Sequence, residues 1–428
     1  MNLDSTDYTF SLPILFYILF CTFGLFYLLI KRTEVKLKKY FLLVFCVSFF
    51  VYSGLGASIL EDNGRYLFYY SIYTIVLVFS LYLFRNKSLN FKMDDNLISS
   101  FFERKSDLFI LIYTSLMLLL LIFHENKLYT LISPPSIDIS GVMGNVTREE
   151  SQDLFTSLVI TIKNIVFPFY FLSLTKYAKK PLYLFIIILV PLYISFCRDG
   201  YIARSVFGLY FLFYMGILYY FNVNLRKLIL TSTVVTFLSS ITFLAAFTSI
   251  RMGESVNLSL AESINALFLV EGTFPSWFVE VYNNSLHSRT YIVDYILWIV
   301  TQPFPGFMKS WLVDFYLNIS IAKVLLGIEA DEIVSFVPLA GLISESVFVF
   351  GNKLFFIHAI ILGYILNLFS NFLLSKESFK LLMIYAIVFT CMGIGRAGTA
   401  GSDSYSLIIK TIIFLPLILH LFHIKIKP

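Results

Sequence analysis

Two arginines stand between apolar runs in the short stretch SFCRDGYIARS, residues 195–205. Arg198 and Arg204 flank an acidic residue, Asp199, with apolar residues 181–197 before them and 206–221 after them. A charge at the margin of a bilayer costs free energy, so these residues call for a reason. The planar guanidinium group is well suited to bidentate binding of phosphate. The stretch therefore predicts an anion-binding role.

The distribution of basic residues over the loops strengthens this prediction. Counted over alternate loops, one side holds fifteen lysines and four arginines, and the other holds seven arginines and four lysines. Lysine is sufficient to orient a membrane protein, whereas arginine binds phosphate as a fork. We predict a ring of arginines around an anionic ligand on the second side, with snorkelling at helix ends as the alternative for any single residue. The predicted ligand-binding arginines are Arg198, Arg204, Arg251, Arg289 and Arg396.

Two lysines lie inside predicted membrane spans, Lys163 in VITIKNIVFP and Lys410 in YSLIIKTIIF. An ionisable residue within the membrane is a functional candidate by default. We predict that Lys163 faces the groove of the anionic ligand, and pairing with a carboxylate on a neighbouring helix is the alternative. Asp199 belongs to the same predicted ligand site, or pairs with Arg198.

The composition shows which solvent surrounds these residues. The chain of 428 residues is 58% hydrophobic and 14% charged, with a mean hydropathy of +0.82. Soluble proteins average about a quarter charged residues. The net charge of +5 belongs to loops that orient a membrane protein, so we expect no nucleic acid. The first ten residues are acidic, unlike a signal peptide, and we expect the first helix to stay.

Eleven apolar runs approach the length of about 20 residues that a spanning helix needs. If the N-terminus is outside and the C-terminus is cytoplasmic, the lysine-rich loops all fall on the cytoplasmic side. We predict an all-α polytopic membrane protein with about 11 transmembrane helices and a single integral domain, residues 1–428. The runs are residues 11–30, 40–56, 66–84, 108–123, 154–174, 181–197, 201–221, 228–250, 354–374, 381–395 and 405–422.

A large loop on the outer side, residues 251–353, is amphipathic. It contains two apolar pieces that are too short to span, AESINALFLVEG and TYIVDYILWIV. We predict that these pieces form helices that lie on the membrane or dip into it.

Four stretches of the second half follow one another in a recognisable order. CRDGYIARS comes first, then VTQPFPGFMKSW, then SFVPLAGLISESVFVFGNKLFFIHAIILGYILN, and finally GRAGTAGSDSYSLIIK. Over residues 194–428 this order resembles the oligosaccharide repeat unit polymerases, the O-antigen or Wzy-type polymerases. Cys197-Arg198-Asp199-Gly200 stands where that family has a Gly-Ser-Arg-Gly type of turn, and Glu345 lies between two serines rather than beside a glycine.

The resemblance implies a GT-C-like glycosyltransferase of the bacterial inner membrane whose site faces the periplasm. It implies transfer of a growing glycan from undecaprenyl pyrophosphate to the next undecaprenyl-linked repeat unit, with inversion at the anomeric carbon. The implied partners are this lipid-linked oligosaccharide, membrane lipid and a chain-length regulator protein. The outer loops contain no Asp-x-Asp pair and no His cluster, so we expect no metal ion or other cofactor.

The implied reaction needs a base for the acceptor hydroxyl but no strong acid, because pyrophosphate is already a good leaving group. We rank His287, in NNSLHSRT, and Glu345, in an apolar stretch, as the first catalytic candidates. An unpaired carboxylate would be costly in an apolar stretch, which favours a role for Glu345. Glu254 and Glu271 are further candidates, and Asp199 and Asp403 pair with Arg198 and Arg396 in the plainer interpretation.

Two other functions stay open. An O-antigen ligase would use the same lipid donor with a lipid A core acceptor, and the match at SESVFVFG favours the polymerase. A flippase for lipid-linked oligosaccharides would not be an enzyme at all. Transporters of that kind show evenly sized loops and internal pseudo-symmetry, and the single outsized loop argues against one.

Overall fold

The structure is a computed structural model. The described residues are 11–57, 64–87, 95–123, 127–135, 154–199, 204–221, 223–232, 235, 277–285, 291–304, 308, 317, 320–321, 341–400 and 403–421. These residues are overwhelmingly helical and contain no β-strand. Eight of their helices are long and apolar enough to cross a membrane. The chain is therefore a multi-pass, all-α membrane protein.

Thirteen helical elements of the described residues are labelled in chain order. The first seven are α1 Leu12–Lys31, α2 Lys36–Ala57, α3 Arg65–Leu83, α4 Asp95–Phe123, α5 Leu154–Leu174, α6 Pro181–Asp199 and α7 Arg204–Phe221. The next three are α8 Trp277–Ser285, α9 Ile292–Thr301 and α10 Gly341–Leu354. The last three are α11 Phe356–Leu374, α12 residues 380–397 and α13 Asp403–Leu421.

The predicted spans agree with this arrangement where it can be compared. The eight long apolar helices coincide with eight of the eleven predicted runs. The run 201–221 corresponds to α7, and the run 381–395 lies within α12, which is continuous but contains a π-helical turn at Ala386–Thr390. Most of the run 228–250 lies outside the described residues. The count of eleven therefore stays a prediction.

The sequence of α3 explains how it packs in the bundle. Tyr66, Tyr70, Tyr73, Leu77 and Leu81 recur at helical spacing and are all buried. Residues at this spacing share one face of a helix. The opposite face carries large apolar side chains that the protein leaves exposed, among them Phe68, Ile75, Phe79 and Leu83. Such a helix packs on one side and meets lipid on the other.

Helices α3 and α11 pack side by side and run parallel. Residue numbers rise together along the bonded pairs, which are Tyr73 with His358, Ser80 with Ile360, Leu81 with Asn367 and Arg85 with Asn371. Gly363 makes the close approach possible, because a Cβ atom there would lie 2.4 Å from Ser80 Oγ. Parallel helices that cross a membrane must begin on the same side of it.

The end of the bundle where α3 and α11 finish is rich in basic residues, and we call it the basic end. Lys38, near the start of α2, donates from Nζ to Asn371 Oδ1 at 2.6 Å and to the carbonyl of Arg85 at 3.2 Å. Asn371 Nδ2 donates to the carbonyls of Arg85 and Lys87 at 2.8 and 2.7 Å. The basic loops after α1, α3 and α11 therefore meet at one end.

The opposite end, where α3 and α11 begin, is called the site end. Arg65 lies over the Tyr282 ring at 5.5 Å and brings α8 to this end. The Tyr69 hydroxyl donates to the Asn352 carbonyl at 3.0 Å. The short helices of the predicted loop 251–353 thus pack on the bundle where they are described; the piece AESINALFLVEG lies outside the described residues.

Helices α9 and α10 are too short to cross a bilayer. Helix α9, from the predicted piece TYIVDYILWIV, has 10 residues, which is well below the length that a span needs. It buries Tyr295 and Trp298 and leaves Val293 and Val300 exposed. The ten residues 341–350 of α10 are all buried, although they fall inside the predicted outer loop. Helix α10 is a half-length element enclosed by the spans.

Candidate functional site

Helix α10 buries a carboxylate, that of Glu345, which is 1% exposed. Its Oε1 atom accepts hydrogen bonds from His358 Nε2 at 2.9 Å, from the Thr399 backbone N–H at 3.1 Å and from the Thr399 hydroxyl. Its Oε2 atom accepts one from the Ala400 backbone N–H at 3.0 Å. A buried carboxylate is costly unless it is bonded in this way. Glu345 thus joins α10 to α11 and to the turn after α12.

His358, in the first turn of α11, is fully buried between Glu345 and α3. Its Nδ1 atom lies 2.7 Å from the Tyr73 hydroxyl. A carboxylate can only accept, so Nε2 is the donor toward Glu345. The Tyr73 hydroxyl bonds Nδ1, so both nitrogen atoms of the imidazole ring have a partner. The ring is fixed from both sides.

The turn at Gly398–Ala400 has the shape that the carboxylate needs. Gly398 has φ 78° and ψ −172°, a combination that is essentially restricted to glycine. A Cβ atom at this position would lie 2.2 Å from Glu345 Oε2. The absence of a side chain at Gly398 lets the backbone pass beside the carboxylate and present two successive N–H groups to it.

Tyr295 of α9 closes the cluster. Its hydroxyl lies 3.0 Å from Thr399 Oγ1, and because Thr399 donates its own proton to Glu345, Tyr295 must be the donor here. Burial raises the pKa of the Tyr295 hydroxyl well above its ordinary value, with Tyr405 and Glu345 adding to the effect. The hydroxyl therefore stays protonated and keeps its role as donor.

Aromatic rings enclose the polar cluster. The Tyr295 and Phe350 rings lie 5.3 and 6.2 Å from the His358 ring. The Trp298 ring stacks on Tyr405 at 5.6 Å and 5°. Tyr73 lies eight residues after the start of α3, about 12 Å along that helix, and His358 lies in the first turn of α11. The cluster is thus near the site end and is shielded by rings.

The predicted arginines and the predicted lysine lie on several helices. Arg396 is in the last turn of α12, two residues before Gly398, and is half-buried. Arg198 is in the last turn of α6 and is half-buried, close enough to Tyr113 of α4 for its charge to act on that hydroxyl. Lys163 lies in the middle of α5 and is half-buried. Of these three, Arg396 is the one whose neighbouring turn is bonded to Glu345.

The remaining predicted residues cannot be compared in the same detail. Asp199 ends α6 and Arg204 begins α7, and the description of both stops at the backbone. His287, Arg251 and Arg289 lie outside the described residues, so their roles stay predictions. The oxygens of Glu345 already accept four hydrogen bonds. This geometry favours a positioning role for Glu345 over that of a free base.

Sequence reasoning missed most of the partners of Glu345. His358 could have been found, because it stands alone in the apolar run FFIHAIILG and an ionisable residue in a span is a functional candidate. Thr399, Tyr73 and Tyr295 give no such signal, since hydroxyl-bearing residues are common in membrane helices. Their importance depends on which helices touch.

Among the described residues, no group of three His, Cys, Asp or Glu side chains could hold a metal ion. Comparison with known proteins finds no matching family model, no matching curated protein and no matching solved structure. A function for this chain must therefore be argued from its multi-pass helical bundle and from the chemistry of its site.

Proposed function

We propose that this protein is a membrane glycosyltransferase that polymerises lipid-linked oligosaccharide repeat units, such as those of O-antigen. The observation that carries the proposal is the bond between Glu345 and the Thr399–Ala400 backbone. These residues belong to the two stretches, SFVPLAGLISESVFVFGN and GRAGTAGSDSYS, that resemble the polymerase family. A contact between them supports the view that both belong to one site near Arg396.

The proposed reaction is a single displacement at the anomeric carbon. The bond between the anomeric carbon of the growing glycan and the pyrophosphate oxygen breaks, and its electron pair leaves with undecaprenyl pyrophosphate. The oxygen of the acceptor hydroxyl forms the new bond to the anomeric carbon, and its proton passes to a base. A single displacement of this kind inverts the anomeric centre.

The residues are assigned by what the leaving group requires. Charge that develops on the departing pyrophosphate is stabilised by preorganised donors in a water-poor site. Arg198, Arg204, Arg251, Arg289 and Arg396 supply these donors in our proposal, with Lys163 and Asp199 at the margin of the groove. His287 is the proposed base because its pKa range suits proton transfer near neutral pH.

The proposed location is derived from the loops. The basic end, with Lys38, Arg85 and Lys87, would face the cytoplasm, as basic loops do in oriented membrane proteins. The site end would then face the periplasm of a bacterial inner membrane, where lipid-linked repeat units are joined. In this orientation the N-terminus is periplasmic, the C-terminus is cytoplasmic, and the fold is GT-C-like with about 11 spans.

The test uses the purified full-length protein in lipid vesicles. The substrates are undecaprenyl-linked oligosaccharides extracted from a strain in which this gene is deleted, and the products are separated by glycan length. A ladder of longer lipid-linked glycans is the expected result. Transfer that occurs only to added lipid A core would instead indicate a ligase, and movement across the vesicle without a new glycosidic bond would indicate a flippase.

Arginine variants sharpen the same assay. Arg198→Ala and Arg396→Ala should abolish or sharply reduce chain extension, and Arg→Lys should rescue it only in part because the bidentate fork is lost. The matched control is Arg226→Ala, since Arg226 lies on the lysine-rich side and bonds the Tyr219 carbonyl at 3.0 Å. Full-length polymer from both outer variants would refute the pyrophosphate site.

A further inference from the structure

One hydrogen-bonded cluster links four helices and the turn after α12. Glu345 of α10, His358 of α11, Tyr73 of α3, Tyr295 of α9 and Thr399 after α12 are linked by hydrogen bonds. His358 Nε2 and the Thr399 hydroxyl donate to the Glu345 carboxylate, and the Tyr295 hydroxyl donates to Thr399. The carboxylate is therefore the common acceptor of the cluster.

We propose that Glu345 and His358 are positioning residues that hold the Gly398–Ala400 turn and so fix the end of α12 that carries Arg396. This inference rests on the proposed function, because it assigns Arg396 its part in binding the pyrophosphate. It assigns to Glu345 no contact with substrate. The carboxylate that the sequence ranks among the candidate bases acts here through a neighbouring turn.

The backbone of the turn depends on the carboxylate for its hydrogen bonds. The Thr399 and Ala400 N–H groups lie beyond the last turn of α12 and donate to Glu345. A buried N–H group without an acceptor costs free energy. Without Glu345 the turn must move to find other acceptors. Arg396 would move with it, because only Ala397 separates it from Gly398.

His358 holds the Glu345 carboxylate in position. Nε2 of the ring donates to Oε1, while Nδ1 is held by Tyr73 from the neighbouring helix α3. The carboxylate is thus aimed by α11 and α3, which run parallel and pack along their length. A shift of about 1 Å in a positioning group can lower catalysis by about 100-fold. The packed helices α3 and α11 thus give His358 and the Glu345 carboxylate a rigid support.

A double-mutant cycle tests whether Glu345 acts through Arg396. The purified protein is assayed with the lipid-linked oligosaccharides as Glu345→Gln, as Arg396→Lys and as both, with Arg198→Lys as the parallel series. We expect Glu345→Gln to lower kcat/KM by about 10- to 100-fold. Residues that act as one unit are non-additive, so the kcat/KM of the double variant with Arg396→Lys should be little lower than that of the less active single variant.

The cycle with Arg198→Lys should be additive, because Arg198 is on α6 and is not part of the turn. Additivity in both cycles would overturn the inference. Thr399→Val and Thr399→Ser give a second pair in case Glu345→Gln does not fold. The serine variant keeps the hydroxyl that donates to Glu345 and should keep its activity, whereas the valine variant should lose activity.

Amide hydrogen exchange gives a readout that does not need the reaction. In lipid nanodiscs, the peptide that contains Thr399 and Ala400 should exchange slowly in the wild type and about tenfold faster or more in Glu345→Gln. Unchanged exchange would refute the claim that Glu345 holds the turn. If the wild type transferred no glycan, the proposed function and the link to Arg396 would fail, and exchange would still decide whether the turn is held.

Discussion

The parallel helices α3 and α11 carry a polar cluster at each end, and the two clusters differ in what they bond. At the basic end, Lys38 and Asn371 bond the carbonyls of Arg85 and Lys87. At the site end, Glu345 and His358 bond each other and an irregular turn. Both clusters contain a buried charged residue, Lys38 at the basic end and Glu345 at the site end.

The basic end has a sufficient structural explanation. The last carbonyls of a helix have no partner within it, and cations near a helix C-terminus are favourable. Lys38 and Asn371 supply donors to the carbonyls of Arg85 and Lys87, in the turn that follows α3. The site end has no such explanation, since the charged residue that bonds the turn at the C-terminal end of α12 is an anion, Glu345, where a cation would be favourable. Burial of a polar group therefore does not indicate function by itself; a buried ionisable pair that the helix dipole does not favour is the stronger indication.

The largest effect that separates the two clusters should come from removing their charged residues. Glu345→Ala leaves several buried donors without an acceptor; each costs about 1–3 kcal/mol, so we expect a loss of several kcal/mol. Lys38→Met keeps the apolar stem and leaves the Arg85 carbonyl its bond from Asn371, so we expect a loss of about 1–2 kcal/mol. Thermal unfolding in the same nanodiscs measures both. Equal losses would remove the distinction between the clusters.

A glycine pair separates backbone strain from contact with the carboxylate. Gly398 and Gly351 have nearly the same backbone angles, φ 78°, ψ −172° and φ 73°, ψ 171°. Alanine is strained at both positions, but at Gly398 its Cβ would also meet Glu345 Oε2. We expect Gly398→Ala to cost about 2 kcal/mol more than Gly351→Ala. The excess should vanish in a Glu345→Ala background; an excess that persisted there would have another cause.

Hydropathy and the residues within single apolar runs predict part of the site-end cluster and none of the basic-end cluster. The eight long apolar helices and the presence of a carboxylate, Glu345, within an apolar stretch could be predicted, because both depend on local sequence. The bond from Glu345 to Thr399 joins residues 54 positions apart, and the bond from Lys38 to Asn371 joins residues 333 apart. Such contacts depend on how helices distant in the chain pack together, which no single run of residues encodes.

A smaller effect is expected at the basic end, and it should be confined to stability. Asn371→Ala removes the hydrogen bonds to the carbonyls of Arg85 and Lys87, in the turn after α3, and an acceptor from Lys38. We expect this to cost about 2 kcal/mol of stability. The variant should keep its transfer activity per folded molecule, measured after the folded fraction has been quantified by size exclusion. A fall of more than about threefold in kcat/KM, roughly 0.7 kcal/mol, would show that the basic end also takes part in the reaction.

The smallest effect concerns single hydroxyl groups on α3. Tyr73→Phe and Tyr70→Phe each remove one buried hydroxyl from the same helix and keep the ring. The lost partners are His358 Nδ1 at 2.7 Å and Thr22 Oγ1 at 2.6 Å. Both variants should lose about 1 kcal/mol of stability.

Only Tyr73→Phe should also lower kcat, by a few-fold, because the His358 ring that aims Glu345 is then held from one side. The substrate KM should stay within about twofold, since a ring that acts through Glu345 and the turn does not contact the ligand. If Tyr70→Phe lowered kcat as much as Tyr73→Phe, the loss would reflect a loosened α3. The hydroxyl of Tyr73 would then have no part in positioning, and the site end would differ from the basic end in its composition alone.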